Sequence, residues 1–166
     1  MSSLPELGRG AFVAAFGSVF EHSAWVAEGA WAAAPFHGLE GLHEAMVAVL
    51  RAAPRARRLA LIHAHPDLAG KAAIAGQVTR ESRGEQAGAG LDRLTPDEYA
   101  RFRNLNRAYR ERFAFPFILA VKGLDKTQIL KSFAERLDNP ADAELDRCLI
   151  EIAKIARFRL ADLVGT

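Results

Sequence analysis

Apolar residues recur at intervals of three and four along most of the chain, the spacing of amphipathic α-helices. The sequence FPFILAV (115–121) is the one stretch typical of an extended segment, and one short extended run cannot form a sheet alone. We therefore predict an all-α fold, built as a single compact domain of about seven to nine helices over residues 1–166. The predicted helices span 8–20, 23–33, 39–52, 54–64, 95–113, 126–137 and 141–164.

Local signals predict where several helices begin and end. The sequence TPDE (95–98) combines a Thr cap, a Pro in the first turn and a Glu at the third position. Asp125 is expected to cap the helix over 126–137. Pro66 disfavours a helical conformation in the residue before it, so the fourth helix should stop at His65.

The Gly-rich segment TRESRGEQAGAGL (79–91) carries weaker signals. Ser82 and Glu85 have the spacing of a capping box, which predicts that a short helix begins near Gly84. Such a helix start would offer backbone N–H groups to an anionic or carbonyl-bearing ligand. The segment lacks the GK[ST] ending and the preceding strand of a phosphate-binding loop.

Composition excludes several protein classes. The net charge is +2, and the nearest basic cluster, RARR (55–58), is expected to be a solvated helix face, so we predict no nucleic-acid partner. No apolar run approaches the length of a membrane span, and no secretory leader is visible. The single cysteine, Cys148, lies in an apolar helical pattern and is expected to be a small core residue. These features predict a cytoplasmic protein with no membrane association.

The last predicted helix has an arginine on its apolar stripe. At about 100° per residue, Arg159 projects between Cys148 and Ile152, whereas Glu151 lies outside the stripe. A guanidinium removed from water needs a partner, which is either a core carboxylate or an anionic ligand, and the wheel leaves both open. Phe158 is the opposite case, an aromatic side chain on the polar face that suggests a partner surface.

The predicted helix over 95–113 carries a polar residue among its aromatic side chains. Asn106 shares a stripe with Tyr99, Phe102, Tyr109 and Phe113. A buried amide needs hydrogen-bond partners, and we expect Asn106 to bond to the backbone of a loop.

Two histidines precede the proline in HAHPDLAGK (63–71). On a helix, residues two apart point in different directions, which argues against a metal site formed by His63 and His65 with Asp67. His65, held by Pro66, can serve as an acid–base group, although a histidine at a helix end also suits the helix dipole. We expect His63 to have a core or structural role. Asp67 and Lys71 are expected to be a cap and a solvated charge.

Together these motifs resemble the OHCU decarboxylase family, where OHCU is 2-oxo-4-hydroxy-4-carboxy-5-ureidoimidazoline, an intermediate of urate breakdown. The resemblance rests on HPDLAGK (65–71), on ESRGEQAGAGLD (81–92) and on FPFILAVKG (115–123), with further likeness in GSVFEHSAWV (17–26) and IARFRLADL (155–163). It implies an all-α homodimer that needs no cofactor or metal, and whose partner is a small ureidoimidazoline substrate. The expected reaction is decarboxylation of OHCU to (S)-allantoin.

The resemblance also implies the roles of individual residues. His65 would donate the proton that sets the stereochemistry of the product, Glu85 would orient the ligand or the imidazole, and Arg159 would anchor polar oxygens of the ligand. Expected substrate contacts are Pro66, Ser82, Gln86 and the backbone of Phe117, Ile118, Leu119, Ala120 and Val121.

Two alternatives stay open at this point. One is a metal-dependent hydrolase of a cyclic ureide that uses His63, His65 and Asp67. The other is a non-enzymatic helical interaction module with Phe158 at a partner surface, in which Arg159 is paired internally.

Overall fold

The computed structural model describes residues 7–69 and 79–165, so Lys71 lies outside the described residues. Across those two ranges the chain forms helices and no strand, which confirms the all-α prediction. The eight helices there are α1 (Arg9–Phe16), α2 (Trp25–Trp31), α3 (Gly38–Ala52), α4 (Arg55–Ala64), α5 (Arg80–Gly88), α6 (Pro96–Phe113), α7 (Lys126–Arg136) and α8 (Ala141–Val164). None of these helices has the length and apolar character needed to cross a bilayer.

The later helices match their predicted bounds closely, and the first two are shorter than predicted. Helix α1 stops at Phe16 rather than at residue 20, and α2 covers Trp25–Trp31 rather than 23–33. The chain between them turns so that Glu21 and Ser23 are buried, and the Ser23 hydroxyl donates to the carbonyl of Glu21. The apolar pattern of the sequence extends through this turn because Val19 and Phe20 are core residues. That pattern therefore predicted a longer first helix.

Two predicted helix caps are confirmed. The Thr95 hydroxyl accepts from the backbone N–H of Glu98, whose carboxylate accepts from the Thr95 N–H, so the capping box is complete. Asp125 caps α7 in the same reciprocal way with Gln128. These caps satisfy backbone N–H groups that the first turn of a helix leaves without an internal acceptor.

The chain forms two compact units. The expectation of one domain over residues 1–166 therefore stays a prediction. The first unit comprises residues 1–64 and 153–166. Its aromatic core includes Phe12 and Phe36, whose rings stack with centroids 5.5 Å apart. Further buried side chains in this unit come from α2, α3, α4 and the end of α8, and include Val26, Leu42, Met46, Leu61, Ile62 and Leu160.

The second unit comprises residues 65–152 and has an aromatic centre. Phe117 stacks on Phe133 with ring centroids 3.7 Å apart, and Tyr109 meets both rings edge-on. Phe102 from α6 also packs edge-on against Phe133. This centre packs α6 and α7 against the segment 115–121, which is neither helical nor paired as a strand.

Candidate active site

His65 is the first residue after α4, as the following proline predicted. Its side chain is buried, with 6% of its surface exposed, whereas Pro66 and Asp67 are half-buried. His63 is exposed, so the expectation of a core role for it was wrong. The two histidines lie in different environments because consecutive helical positions rotate by about 100° and His65 has already left the helix.

Gln86 of α5 holds the loop that follows His65. Its side-chain carbonyl accepts from the backbone N–H of Ala69 at 2.9 Å, and its amide nitrogen donates to the carbonyl of Asp67 at 3.2 Å. These bonds use two of the four hydrogen-bonding positions that a primary amide offers. Gln86 is buried, so it acts as a short rigid bridge between α5 and the loop.

Helix α6 supports the same loop from a second direction. Asn106 donates to the carbonyl of Leu68 at 2.9 Å, which confirms the predicted hydrogen bond to a loop backbone. Arg110 donates through Nη2 and Nε to one oxygen of Asp67, at 2.9 and 3.2 Å. The loop over 65–69 is therefore fixed at three consecutive residues by side chains of two helices.

The predicted capping box of Ser82 and Glu85 is wrong. Helix α5 begins at Arg80, and its cap is Thr79, whose hydroxyl accepts from the backbone N–H of Ser82 at 3.2 Å. Gly84 lies within the helix, so no helix start presents backbone N–H groups there. Thr79 is itself a preferred N-cap residue. The sequence therefore offers two candidate helix starts, Thr79 and Ser82, and the prediction chose the later one.

The helix instead places Ser82, Glu85 and Gln86 on one face. Residues three and four apart on a helix are neighbours, so these three side chains lie side by side. Ser82 and Gln86 are buried, and Glu85 is half-buried. A hydroxyl, a carboxylate and an amide are thus presented together on the helix that also holds the loop after His65.

The segment 117–121 is held from its inner side by α7. Arg136 donates through Nη1 to the carbonyl of Ile118 at 2.5 Å, and its guanidinium carbon lies 4.3 Å from the centre of the Phe117 ring. Four of the five residues are buried, and Ala120 is half-buried. The backbone of this segment is therefore fixed in place without belonging to a helix or a sheet.

A buried ion pair between Arg136 and Glu144 lies behind this segment. Nε and Nη2 of Arg136 both lie 2.9 Å from Oε2 of Glu144. The same oxygen accepts from the hydroxyl of Tyr109, and the other carboxylate oxygen, Oε1, accepts from the amide of Asn139. Burial opposes the charge on both partners. The hydrogen bonds and the opposite charge outweigh burial, so the pKa of Glu144 is lowered and that of Arg136 is raised.

Burial is not outweighed for the neutral members of this cluster. It raises the pKa of the Tyr109 hydroxyl and of the Cys148 thiol, and the neighbouring Cys148 and Glu144 add to the effect on Tyr109. Cys148 is a core residue, as predicted. Our sequence reasoning missed the cluster, although Arg136 lies three residues after Phe133 and seven after Ile129, on the apolar face of α7. That spacing was the available signal.

Arg159 is buried in the first unit and bound to a carboxylate. Its Nη2 donates to Glu21 at 2.8 Å and its Nη1 to the carbonyl of Val19 at 3.2 Å. The prediction that this guanidinium meets a charged partner is confirmed. The second alternative, an interaction module, also expects this internal pairing, so the pair alone does not decide the role of Arg159.

The polar face of α8 was assigned incorrectly at one position. Glu151, which we expected outside the buried stripe, is 2% exposed and lies 3.5 Å from Nε of Arg147. Phe158 is half-buried, and its predicted role at a partner surface stays a prediction. A carboxylate seven residues after the buried Glu144 lies on nearly the same side of the helix, which explains the burial of Glu151.

The geometry does not support the metal alternative. Among residues 7–69 and 79–165, no three His, Cys, Asp or Glu side chains are grouped as metal ligands. Asp67, which that alternative needs as a ligand, is bonded to Arg110, and His63 and His65 occupy different environments.

The family model described as OHCU decarboxylase matches residues 5–161. The chain belongs to the OHCU decarboxylase family. The match covers both units and every residue that we singled out as a candidate site residue. The resemblance noted in the sequence motifs is therefore confirmed over nearly the whole chain.

Relatives of this OHCU decarboxylase family member include proteins of similar length and longer proteins. The chain is 40% identical to a mouse 2-oxo-4-hydroxy-4-carboxy-5-ureidoimidazoline decarboxylase, with coverage of 99% of this chain and 93% of the relative. It is 39% identical to the protein of that name from Halalkalicoccus jeotgali, at 98% and 90% coverage. It is 42% identical to the uric acid degradation bifunctional protein PucL of Bacillus subtilis over 99% of this chain, but spans only 32% of that protein.

Two solved structures share the fold of this OHCU decarboxylase family member. A structure of (S)-allantoin synthase superposes with a TM-score of 0.76 at 30% identity, covering 95% of this chain and 51% of the other. A structure of OHCU decarboxylase in the presence of (S)-allantoin gives a TM-score of 0.71 over 96% of this chain and 100% of the other. At 19% identity, the second likeness concerns the fold alone.

Proposed function

We propose that this protein catalyses the decarboxylation of 2-oxo-4-hydroxy-4-carboxy-5-ureidoimidazoline to (S)-allantoin in urate breakdown. The observation that carries the proposal is the family match over residues 5–161, together with relatives of that name that share nearly the full length of this chain. The reaction makes the enzyme a carboxy-lyase of purine catabolism.

The proposed chemistry needs no cofactor, because the substrate carries its own electron acceptor. As the bond to the carboxylate carbon breaks and CO2 leaves, its electron pair forms a double bond between the two ring carbons, and the former imine nitrogen takes up a proton. The resulting enol gains a proton on the ring carbon that bears the ureido group and releases its hydroxyl proton, so that the neighbouring carbon becomes a carbonyl. One proton is consumed overall, because a carboxylate anion becomes a neutral product and CO2.

We assign the proton donor to His65. Histidine is the side chain used most often for proton transfer in catalysis, and the loop that follows His65 is held by Gln86, Asn106 and Arg110. A donor fixed in position can deliver its proton to one face of a planar intermediate, and this would produce a single enantiomer. Proton transfer by a positioned side chain contributes about 10²–10⁴-fold to a rate.

The face of α5 supplies the proposed polar contacts to the substrate. Ser82 and Gln86 would bind the ureido group and the ring edges, with the backbone over 117–121, and Pro66 would contact the ring. Glu85 would orient the ligand and then the imidazole. The burial of Ser82 and Gln86 supports this assignment, since hydrogen bonds to a ligand strengthen when water is excluded.

We also propose that Arg159 anchors anionic oxygens of the substrate. A guanidinium binds anionic oxygens through charge-assisted hydrogen bonds, and Arg159 is already held by Val19 and Glu21. Glu21 would then hold the guanidinium in a fixed orientation. The homodimer implied by the family resemblance and the cytoplasmic location predicted from the composition are part of the same proposal.

The test of the proposed function uses substrate generated in situ, because OHCU decays without an enzyme. A urate-oxidising system and the enzyme that hydrolyses its product supply OHCU, and circular dichroism follows the chirality of allantoin. The proposal expects rapid formation of (S)-allantoin with this protein and slow formation of a racemate in the blank. Equal rates and equal optical activity with and without the protein would refute the activity.

A further inference from the structure

The carbonyl of Ile118 faces the buried cluster of Arg136 and Glu144. It accepts from Nη1 of Arg136 at 2.5 Å, and Ile118 is 3% exposed. This carbonyl is therefore directed at a side chain of α7, and its position depends on the guanidinium that holds it.

The neighbouring residues differ in what they can offer. The carbonyl of Val121 accepts from the N–H of Leu124 at 2.9 Å, so it closes a local turn. Ala120 is the residue of 117–121 that is not fully buried, and Leu119 lies between it and the anchored Ile118. The peptide groups around Leu119 and Ala120 are thus the part of this segment best placed to meet a ligand.

We infer that Arg136 is a positioning residue for substrate binding: by anchoring Ile118, it orients the Leu119 and Ala120 peptide groups that bind the polar edge of the substrate. The inference rests on the proposed function and narrows it, because it selects two of the five residues of this segment. Arg136 itself does not contact the substrate in this account.

The chemistry of the anchor requires an arginine. The planar guanidinium donates to Glu144 through Nε, its Nη2 lies 2.9 Å from the same carboxylate, and its Nη1 donates to the Ile118 carbonyl in a third direction. The ammonium group of a lysine is a compact point charge on a flexible stem and does not reproduce this fork. Arg136→Lys therefore keeps the positive charge beside Glu144 and loses the fixed geometry at Ile118.

The experiment separates positioning from general loss of stability with a matched control. Tyr109→Phe removes the hydroxyl that donates to Glu144 and leaves the contact between Arg136 and Ile118 intact. We expect both variants to lower the melting temperature. Only Arg136→Lys should raise KM for in situ OHCU, by about tenfold, which corresponds to the misplacement of one or two polar contacts. Equal KM values in the two variants would overturn the inference.

The outcome is distinguishable from failure of the proposed function. If the wild-type protein does not accelerate (S)-allantoin formation, the proposed function is wrong and the KM comparison has no meaning. If the wild type is active and Arg136→Lys binds substrate normally, the function stands and the positioning role is wrong.

A second measurement needs no variant to fold. Amide hydrogen exchange of the wild-type protein is followed by NMR without ligand and with saturating (S)-allantoin. We expect the Leu119 and Ala120 amides to gain protection on binding, by about tenfold or more, while the amide of the buried Ile118 changes little. Protection gained at Ile118, with none at Leu119 or Ala120, would contradict the inference.

Discussion

Arg159 and Glu21 form a buried ion pair at 2.8 Å, although they lie 138 positions apart in the chain. The pair joins the end of α8 to the turn between α1 and α2 in the first unit. It supplies the carboxylate that a guanidinium on the apolar stripe of α8 requires.

Glu21→Gln should destabilise the protein strongly, because it leaves the Arg159 charge buried without its counter-charge. We expect the free energy of unfolding to fall by about 3–5 kcal/mol, measured by urea denaturation. Glu28→Gln is the matched control, since its pair with Arg9 is long and exposed and should change stability by no more than about 0.5 kcal/mol. Equal effects of the two substitutions would show that the buried pair is not stabilising.

Asn106→Ala should destabilise the loop after His65. The substitution leaves the buried Leu68 carbonyl without its donor, which costs about 1–3 kcal/mol. Asn104→Ala removes an exposed amide of the same helix, whose bond is to Arg107, and should be nearly neutral. Thermal unfolding compares the two variants, and hydrogen exchange at residues 67–69 should accelerate in Asn106→Ala alone. Unchanged exchange there would mean that Asn106 does not hold the loop.

Acid should weaken the ion pair between Arg136 and Glu144. The pKa of Glu144 is lowered from 4.5 in the folded state, so the carboxylate contributes stability that is fully present above that value. This contribution is lost as the pH falls through the folded pKa. The stability difference between the wild type and Glu144→Gln should therefore be largest near neutral pH and shrink on acidification. The exposed Glu135→Gln is the control, and a difference for Glu144→Gln that does not vary with pH would contradict the account.

Cys148 should resist thiol reagents in the folded protein. Burial raises its pKa and excludes the reagent, and the chain has no other cysteine, so the readout is unambiguous. We expect no reaction with a chromogenic disulfide at pH 8 until denaturant is added, and then one thiol per chain. Rapid reaction of the native protein would mean that the cluster behind 117–121 opens in solution.

The helices were predictable wherever caps and breakers reinforced the apolar pattern. Thr95 and Asp125 begin their helices as expected, because capping depends on a few adjacent residues. The turn after α1 was missed, because Val19 and Phe20 are apolar for reasons of tertiary packing rather than helical periodicity. The cap of α5 was misplaced because the capping-box spacing pointed to Ser82, although Thr79 is also a preferred N-cap residue.

The sequence indicated which polar residues need a buried partner but not which group that partner is. The helical wheel singled out Arg159, and the stripe of α6 singled out Asn106, because a polar group among apolar ones needs a partner. Neither pattern identifies that partner, since Glu21 and Leu68 are distant in sequence. Arg136 and Glu144 belong to two different helices. The periodicity of one helix shows that a charged residue is buried but does not show which residue of another helix pairs with it.

The central claim is that His65 donates the proton that sets the chirality of the product. The most direct measurement compares His65→Ala with His63→Ala, the exposed histidine two residues earlier, in the in situ OHCU assay. We predict that His65→Ala loses roughly a hundredfold or more in rate and the excess of (S)-allantoin, while His63→Ala keeps both. Wild-type rate and full enantioselectivity in His65→Ala would contradict the account.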